Sequence, residues 1–429
     1  MKTIPNATVG SQREDGLKIV IFACVDFPVG PATTSRVKLL SRILQGAGHH
    51  VSLAIFNANT KIPIPENRSS HGSHASVEYT YLSGNPVRPS RFFAAVTDSL
   101  MGTVQSLFFL RNKWKSGAVD VALFYTPDVY RSLPCLLLSK LYGIPILLEL
   151  CEIFSSDTRK KGVKPSIQRI GARFSDRILP AMSSGVLAIS TKIVEHLKQG
   201  GLGNEKIMHL PILVDCSQFI RPASSPVRSL AEKCYFLNSG ALDNKEGLEF
   251  ILEAFASVSR KHDQLFLALT GAPEANRQAY ILDIAKRLGI DRKLIFTGFL
   301  SVGQLAWAYQ NALALICCRA NTEFANFGFP TKLAEYLSSG RPVITNEVGD
   351  TRLYLQDGET AFFARSGDIP SISSVMEKVL DSPELAREVG LNGRKVAQKY
   401  FDYENFIAPL DELLHSVWRK RIQGRTSQE

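Results

Sequence analysis

Apolar residues in this chain come in short runs, and the segments between them repeat their apolar positions at helical spacing. Residues 17–25 are almost continuously apolar, the mark of a strand buried on both faces. A loop rich in Gly and Pro follows, Asp26 to Arg36, and then Val37, Leu40, Ile43 and Leu44 recur as on one face of a helix. That helix ends at Gly46 to His50, and residues 51–56 form a second strand. Residues 61–74 are polar, hold two prolines and predict a loop. Residues 91–115 predict a long helix with Phe92, Phe93, Val96, Leu100, Val104, Leu107 and Phe108 as its apolar face. Core packing with a solvated basic tip is the simpler reading of this helix, although aromatic and basic residues at a helix end also suit a membrane interface. Strands at 119–125, 144–150, 185–189 and 206–213 alternate with helices at 129–141 and 166–182, and Ser190 or Thr191 is placed to cap the helix after 189.

The rhythm breaks in a stretch containing Pro222, Ser224, Ser225 and Pro226, which predicts an interdomain linker. It then restarts, with strands at 234–238, 265–269, 294–297, 313–317, 342–345 and 361–364 and helices between them. Amphipathic helices at 383–400 and 403–419 close the chain. The expected organisation is a polar N-terminus at 1–16, a Rossmann-like domain at 17–215, a linker at 216–230, a second Rossmann-like domain at 231–400, and a last helical segment at 401–429. Strand–helix alternation implies parallel sheets with crossover helices. Such sheets bind ligands at the carboxyl ends of their strands, and two domains joined by a linker would leave a ligand cleft between those edges.

Composition narrows this picture modestly. At 429 residues, with 45% hydrophobic and 21% charged residues, the chain has the profile of a soluble globular protein. Seven scattered cysteines in no metal-ligand spacing read as buried thiols in a reducing compartment. The polar N-terminus lacks the apolar core of a signal peptide, and no apolar run approaches a membrane span. Charge is more informative. Residues 1–215 hold 25 Lys and Arg against 15 Asp and Glu, whereas residues 216–429 hold 25 of each. The whole excess of +10 lies in the first half. It is either a solubility margin or a field for an anionic substrate or an anionic membrane surface. Nucleic acid is the poorest fit, because no binding motif accompanies the charge.

The chemistry gathers around Phe324 to Val343, where a loop rich in Gly and aromatics runs into a helix starting near Pro330 and stopping at Gly340. A helix N-terminus beside Lys332 is a natural phosphate seat. Glu335, one turn along, suits a pair of ribose hydroxyls, as an acidic residue does in dinucleotide folds. The Gly240 loop, with Lys245, offers backbone N–H groups and a point charge at another strand end. Thr297-Gly298-Phe299 ends a third strand at the same edge. Each feature alone has a structural explanation; together they describe a seat for a nucleoside diphosphate. His71 and His74 lack a third ligand nearby and are expected to be solvated, and no Asp-x-Asp suggests a metal on the diphosphate.

In this order the motifs resemble the retaining glycosyltransferases of the GT-B fold, family 4 type. The resemblance covers almost the whole chain. It runs through Phe27-Pro-Val-Gly-Pro-Ala-Thr-Thr-Ser-Arg36, Gly48-His49, Ala188-Ile-Ser190, Leu210-Pro-Ile-Leu-Val-Asp215 and Ser239-Gly-Ala-Leu with Lys245 and Gly247. Its most specific piece is Gly328-Phe-Pro-Thr-Lys-Leu-Ala-Glu-Tyr-Leu337 with Gly340-Arg-Pro-Val343, followed by Gly349 and Asp357-Gly358. The resemblance implies two Rossmann-like domains, with a nucleotide-diphosphate sugar donor held by the second. Glu335 would contact the ribose, Lys245 the diphosphate, and the backbone at Gly298 and Phe299 the base. Gly240, Gly328, Phe329, Pro330 and Thr331 would line the donor seat, and Gly30 would face the transferred sugar. The acceptor, a glycan or lipid-linked sugar, would lie on the first domain, and the final helices would cross back onto it. Retention, no cofactor, no metal, and a cytoplasmic chain peripheral to the inner face of the membrane complete the expectation.

Two positions depart from the family pattern. Many members carry paired glutamates with seven residues between them; counting back from Glu335 gives Phe327, and aligning the Phe-Gly-Phe-Pro run gives Ala325. A common arginine after the first glycine of the second half is Ala241 here. Lys332 could replace the lost charge, and with Lys245 and the helix start near Pro330 it would provide the positive potential for the leaving diphosphate. Glu152 is a candidate to orient sugar or acceptor, while Glu149 reads as structural. Rival readings are a sugar-nucleotide 2-epimerase of the same fold, or an inert scaffold paralogue in a polysaccharide assembly complex.

Overall fold

The computed structural model describes residues 16–61, 63–127, 129–153, 171–240, 242 and 246–426. The chain divides into two compact units, one of Met1–Glu149, Met182–Gly185 and Ile407–Glu429, the other of Leu150–Ala181 and Val186–Phe406.

The first unit is built from β1 (Lys18–Ala23), α1 (Ala32–Gly46), β2 (His50–Ile55), β3 (His71–His74), β4 (Val77–Tyr81), α2 (Phe92–Lys115), β5 (Val121–Tyr125), α3 (Val129–Leu141) and β6 (Ile146–Leu150). Its strands lie in the order β3-β4-β2-β1-β5-β6. The central strand β1 is parallel to β2 and β5, with Ile19 opposite both Val51 and Val121. Only β3, on the edge, runs antiparallel. The apolar runs of β1, β5 and β6 are buried from end to end but for Lys18, as strands covered on both faces must be.

Three expectations change here. The loop predicted at 61–74 ends in β3, whose four residues His-Gly-Ser-His are all exposed. Backbone pairing to β4 holds it, so no apolar pattern announces it. A strand at β4 joins those predicted, with Val77, Tyr79 and Tyr81 buried and Glu78 exposed between them, which is the alternation of a half-buried strand. The third change is the largest. Helix α2 spans the predicted residues, but its apolar face is not core: Phe92, Phe93, Val96, Leu100, Val104 and Phe108 are exposed, whereas Asp98, Gly102, Ser106 and Leu110 are buried. Among the described residues α2 is also the one helix long and apolar enough to cross a membrane, which the sequence reading did not anticipate.

The second unit holds β7 (Gly185–Ala188), α4 (Thr191–Gln199) and β8 (Ile207–His209), with β7 and β8 parallel. Its main sheet contains β9 (Cys234–Ser239), β10 (Leu265–Thr270), β11 (Leu294–Gly298), β12 (Ala314–Cys317), β13 (Val343–Thr345) and β14 (Phe362–Phe363). Around it lie α5 (Leu248–Ser259), α6 (Ala275–Leu288), α7 (Val302–Asn311), α8 (Thr331–Ser339), α9 (Ile369–Asp381) and α10 (Pro383–Tyr400). The strand order is β11-β10-β9-β12-β13-β14, all parallel. The chain winds outward from β9 in one direction, then returns to start again at β12. The crevice where such an order reverses is the ligand position of doubly wound sheets.

Helix α5 packs Leu248, Ile251, Leu252, Phe255 and Val258 into a core shared with β10 and α9. Cys318 joins this core, and burial there raises its thiol. Two glycines on α10 let it lie directly on the segment carrying α8. A Cβ on Gly390 would sit 2.5 Å from the Gly340 carbonyl oxygen, and one on Gly393 would sit 2.7 Å from that of Thr360. The last helix, α11 (Ile407–Thr426), belongs to the first unit. There its Asp411 carboxylate lies 3.0 Å from His49 Nε2.

Candidate active site

Helix α8 begins at an extended Pro330 and ends at Gly340, whose φ of +73° is the left-handed cap that glycine adopts without strain. Leu333, Ala334, Tyr336 and Leu337 are buried. That leaves Thr331, Lys332 and Glu335 on the opposite, half-buried face, as neighbours three and four apart should be. Lys332 reaches over the end of β9. Its Nζ donates to the Ser239 carbonyl at 2.5 Å and pairs with the Glu246 carboxylate. Gly240, φ +128°, passes directly beneath; a Cβ there would lie 3.2 Å from Lys332 Nζ. The fold thus brings Gly240, Lys332 and Glu335 together at the carboxyl edge, beside the reversal point between β9 and β12.

Glu335 rests on a hydroxyl network. The Tyr309 hydroxyl donates to Glu335 Oε2 at 3.3 Å. Tyr309 and Tyr336 hydroxyls both meet Ser239 Oγ, at 2.8 and 3.0 Å, and Ser239 N–H donates to Tyr336 at 2.7 Å. Burial raises the Glu335 carboxyl to about 7, against the downward pull of the Tyr309 hydroxyl and Lys332. A carboxylate held at that value takes up or releases its proton near neutrality. Glu246, Tyr309 and Tyr336 escaped the sequence reading. Glu246 lies between Lys245 and Gly247, and an acid between a lysine and a glycine is the signal that marks it as a partner. Tyr336 stands inside the Gly328 to Leu337 motif without a role of its own, and no local pattern singles out Tyr309.

Three strand ends are laced at this edge. Gly240 N–H donates to Thr270 O and Gly271 N–H to Gly298 O, both at 3.0 Å. Gly298 therefore lies in line with Gly240 and Gly271, while Phe299 beyond it is 67% exposed. Gly328 is half-buried and Pro330 buried. The Phe329 ring stacks on Tyr354 at 5.7 Å and meets Phe401 edge-on at 5.6 Å, so it braces the loop. Lys245 and Ala241 lie outside the described residues.

The position expected to carry a second glutamate is occupied differently. Phe327 closes a short helix, Glu323–Phe327. Its carbonyl accepts from Ser190 Oγ at 2.5 Å, and its ring meets His196 edge-on at 6.0 Å with Lys192 Nζ 5.9 Å away. Ala325 is buried. Neither offers a carboxylate, and Phe327 is held by α4. Ser190 is the cap of α4, accepting from Ile193 N–H at 3.3 Å. Thr191 donates to Asp350 through its N–H at 2.8 Å and its hydroxyl at 2.6 Å.

In the first unit Gly30 lies in the loop after β1, where a Cβ would meet the Asp26 carbonyl oxygen at 2.8 Å. Asp26 Oδ1 accepts from Asn59 and Thr60 N–H, and Tyr81 Oη accepts from Phe27 N–H at 2.8 Å. At the same edge Arg36 Nε donates to Glu149 Oε1 at 2.7 Å, with both side chains buried. Glu152, just past β6 and counted with the second unit, is half-buried. One grouping of metal-ligand type, His49, Asp411 and His415, lies elsewhere in this unit. His49 Nδ1 accepts the Leu17 N–H at 3.1 Å. The neutral ring's proton is then on Nε2, facing Asp411, and burial lowers the His49 pKa. The trio reads as a clamp between α11 and the α1–β2 turn, because a metal on Nε2 would need that proton removed.

The family model for glycosyl transferases group 1 matches residues 223–396. This stretch is similar to the group 1 glycosyl transferases. Its boundaries enclose Gly240, Glu246, Gly298, Lys332 and Glu335, while Gly30, Glu152 and Ser190 lie before them. Mycobacterium tuberculosis glycogen synthase is 22% identical over 191 residues, 44% of this chain and 44% of that protein; the chain thus spans under half of this curated relative. Sucrose-phosphate synthase from Thermosynechococcus elongatus superposes with a TM-score of 0.74 at 17% identity, covering 94% of this chain and 100% of that one. Anabaena HepE, solved in complex with UDP and glucose, gives 0.66 at 14% identity, covering 93% and 100%. The fold is GT-B, with a Rossmann-like sheet in each unit.

Proposed function

We propose that the protein is a glycosyltransferase that moves a sugar from a nucleotide-diphosphate donor to a glycan or lipid-linked acceptor, with retention of anomeric configuration. The observation that carries this reading is the meeting of Lys332, Glu335 and the positive-φ Gly240 at one edge of a parallel sheet, inside the stretch that matches the group 1 glycosyl transferases. Glu335 accepts the ribose hydroxyls. Lys332, the N-terminus of α8 and Lys245 face the diphosphate. The first unit holds the acceptor near the Gly30 loop, and Glu152 orients sugar or acceptor. The protein works in the cytoplasm, at the inner face of the membrane.

In the transfer, the bond from the anomeric carbon to the diphosphate oxygen breaks and the acceptor hydroxyl oxygen bonds to that carbon. The hydroxyl proton passes to the leaving diphosphate. The protein's largest contribution is fixed positive potential where negative charge grows on the leaving oxygens. Lys332 is well suited, since its long flexible stem can leave Glu246 for a phosphate. No step calls for a metal: the charge is met by lysines and by backbone N–H groups.

A panel of UDP-, GDP- and dTDP-sugars, with cell lipid extract as acceptor, tests this. Released diphosphate with glycosylated lipid is the expected result, lost in Lys245→Ala and Glu335→Ala. Interconversion of the donor sugar without transfer, or no nucleotide binding at all, overturns it, as does full activity in both variants.

A further inference from the structure

Helix α2 presents its faces in the reverse of the usual order. The buried residues Asp98, Gly102, Ser106 and Leu110 are spaced four apart and form one stripe. Gly102 lets the helix backbone approach the Phe56 peptide, whose carbonyl carbon would be 2.8 Å from a Cβ. The Asp98 carboxylate accepts from Asn85 Nδ2 at 2.7 Å. Large side chains point the other way: Phe93 is 82% exposed, Phe92 75% and Leu100 61%, with Val104 and Phe108 following. A contiguous row of large apolar side chains left in water marks a surface meant to be covered.

Charge identifies the cover. Residues 93, 100, 104, 108, 111 and 115 share one helical face, so Arg111 and Lys115 continue the apolar row at its C-terminal end. Arg88 and Arg91 flank the other end, also exposed. Between residues 85 and 117 the only acid is Asp98, and it is buried. A second copy docking through this face would set like charges against each other whichever way the helices ran. The excess of +10 is confined to residues 1–215. We infer that α2 seats the protein on an anionic lipid surface, lying in the plane of the interface with its phenylalanines among the acyl chains and its basic ends on the headgroups. It does not span, because a span would expose Asp98 and break the Gly102 contact. This deepens the proposed lipid-linked acceptor and rests on that reading for its purpose, while the docking itself stands on α2 alone.

The test is flotation of the full chain with phosphatidylcholine vesicles, with and without phosphatidylglycerol. The protein should float with the anionic vesicles at low salt and be released by high salt. The quadruple variant F93S/L100S/V104S/F108S should bind at least roughly ten-fold more weakly, with an unchanged thermal melt because these side chains are exposed. R111E/K115E should lose the preference for anionic lipid. A wild-type chain that stays unbound at low salt overturns the inference, as does a quadruple variant that floats equally well. A dimer in sedimentation that the quadruple variant disperses also overturns it, in favour of a second copy. Binding of UDP, GDP and dTDP, measured without lipid on the same samples, separates the readings: retained binding of any of the three without flotation sinks only the docking, and flotation with none of them bound sinks only the glycosyltransferase.

Discussion

At the carboxyl edge of each parallel sheet a basic side chain from the following helices meets a glutamate, and the two pairs behave differently. Arg36 and Glu149 are 3% and 0% exposed, and Glu149 Oε2 is buried with no hydrogen-bond partner among the described residues. Burial pushes the Glu149 carboxyl upward against the pull of Arg36. Lys332 and Glu246 keep 12% and 9% of their side chains exposed, and the lysine also holds the Ser239 carbonyl. A planar guanidinium locked on a buried carboxylate fixes an edge; a lysine on a flexible stem at the rim can exchange partners. The first edge is thus a rigid wall, and the second is an adjustable seat.

The widest gap between the two should appear on removing the cations. Arg36→Ala leaves a buried carboxylate alone, which costs about 3–5 kcal/mol. With the folded carboxyl raised above its unfolded value, this loss grows as pH rises past about 4.3, so urea melts at pH 8 and pH 5 should differ. A variant as stable as wild type at pH 8 would remove the wall from the comparison.

Lys332→Ala should instead show mainly in catalysis. In its proposed role beside the leaving oxygens, loss of this positive group predicts a fall of roughly 10²–10³-fold in kcat, while the melt moves far less than in Arg36→Ala. Initial rates at saturating donor check this, and equal destabilisation in the two variants would merge the pairs into one kind.

The smallest effect sharpens the adjustable edge. In its proposed role Glu335, raised to about 7, would have to ionise to accept two ribose hydroxyls well, so nucleotide affinity should climb as pH passes through 7 and stay flat in Glu335→Gln. Stability runs the other way. The folded state holds this proton more tightly than the unfolded chain, so wild type loses stability between about pH 4.3 and 7, by up to about 4 kcal/mol. Glu335→Gln should escape that loss and melt higher than wild type at pH 8 but not at pH 4. Calorimetry at the two pH values reads both.

The seat was legible in the sequence where local chemistry dictates it. Pro330 and Gly340 bracket α8 as the Pro and Gly positions predict, and the spacing of Lys332 and Glu335 sets both on its open face. What surrounds them was not, because it comes from distant segments. Nothing local to Lys332 announces Glu246, and Tyr309 reaches Glu335 from another helix. Likewise Phe327 looks like a missing glutamate until α4 is seen to hold it. Helix α2 marks a different limit. Its periodicity gave the right element and the right apolar face, but periodicity says only that a face exists, not whether protein or something else covers it. Gly102 and Asp98, on the opposite stripe, were the readable sign.

The two glycines of α10 extend this to heredity. Alleles that add a methyl group at Gly390 or Gly393 would lift α10 away from Gly340 and Thr360, shifting the segment that aims Lys332 and Glu335 without altering any group in the seat. Such alleles would be conditional, active in the cold and silent when warm. In a genetic screen they would map to a helix that looks remote from the chemistry yet sets its aim.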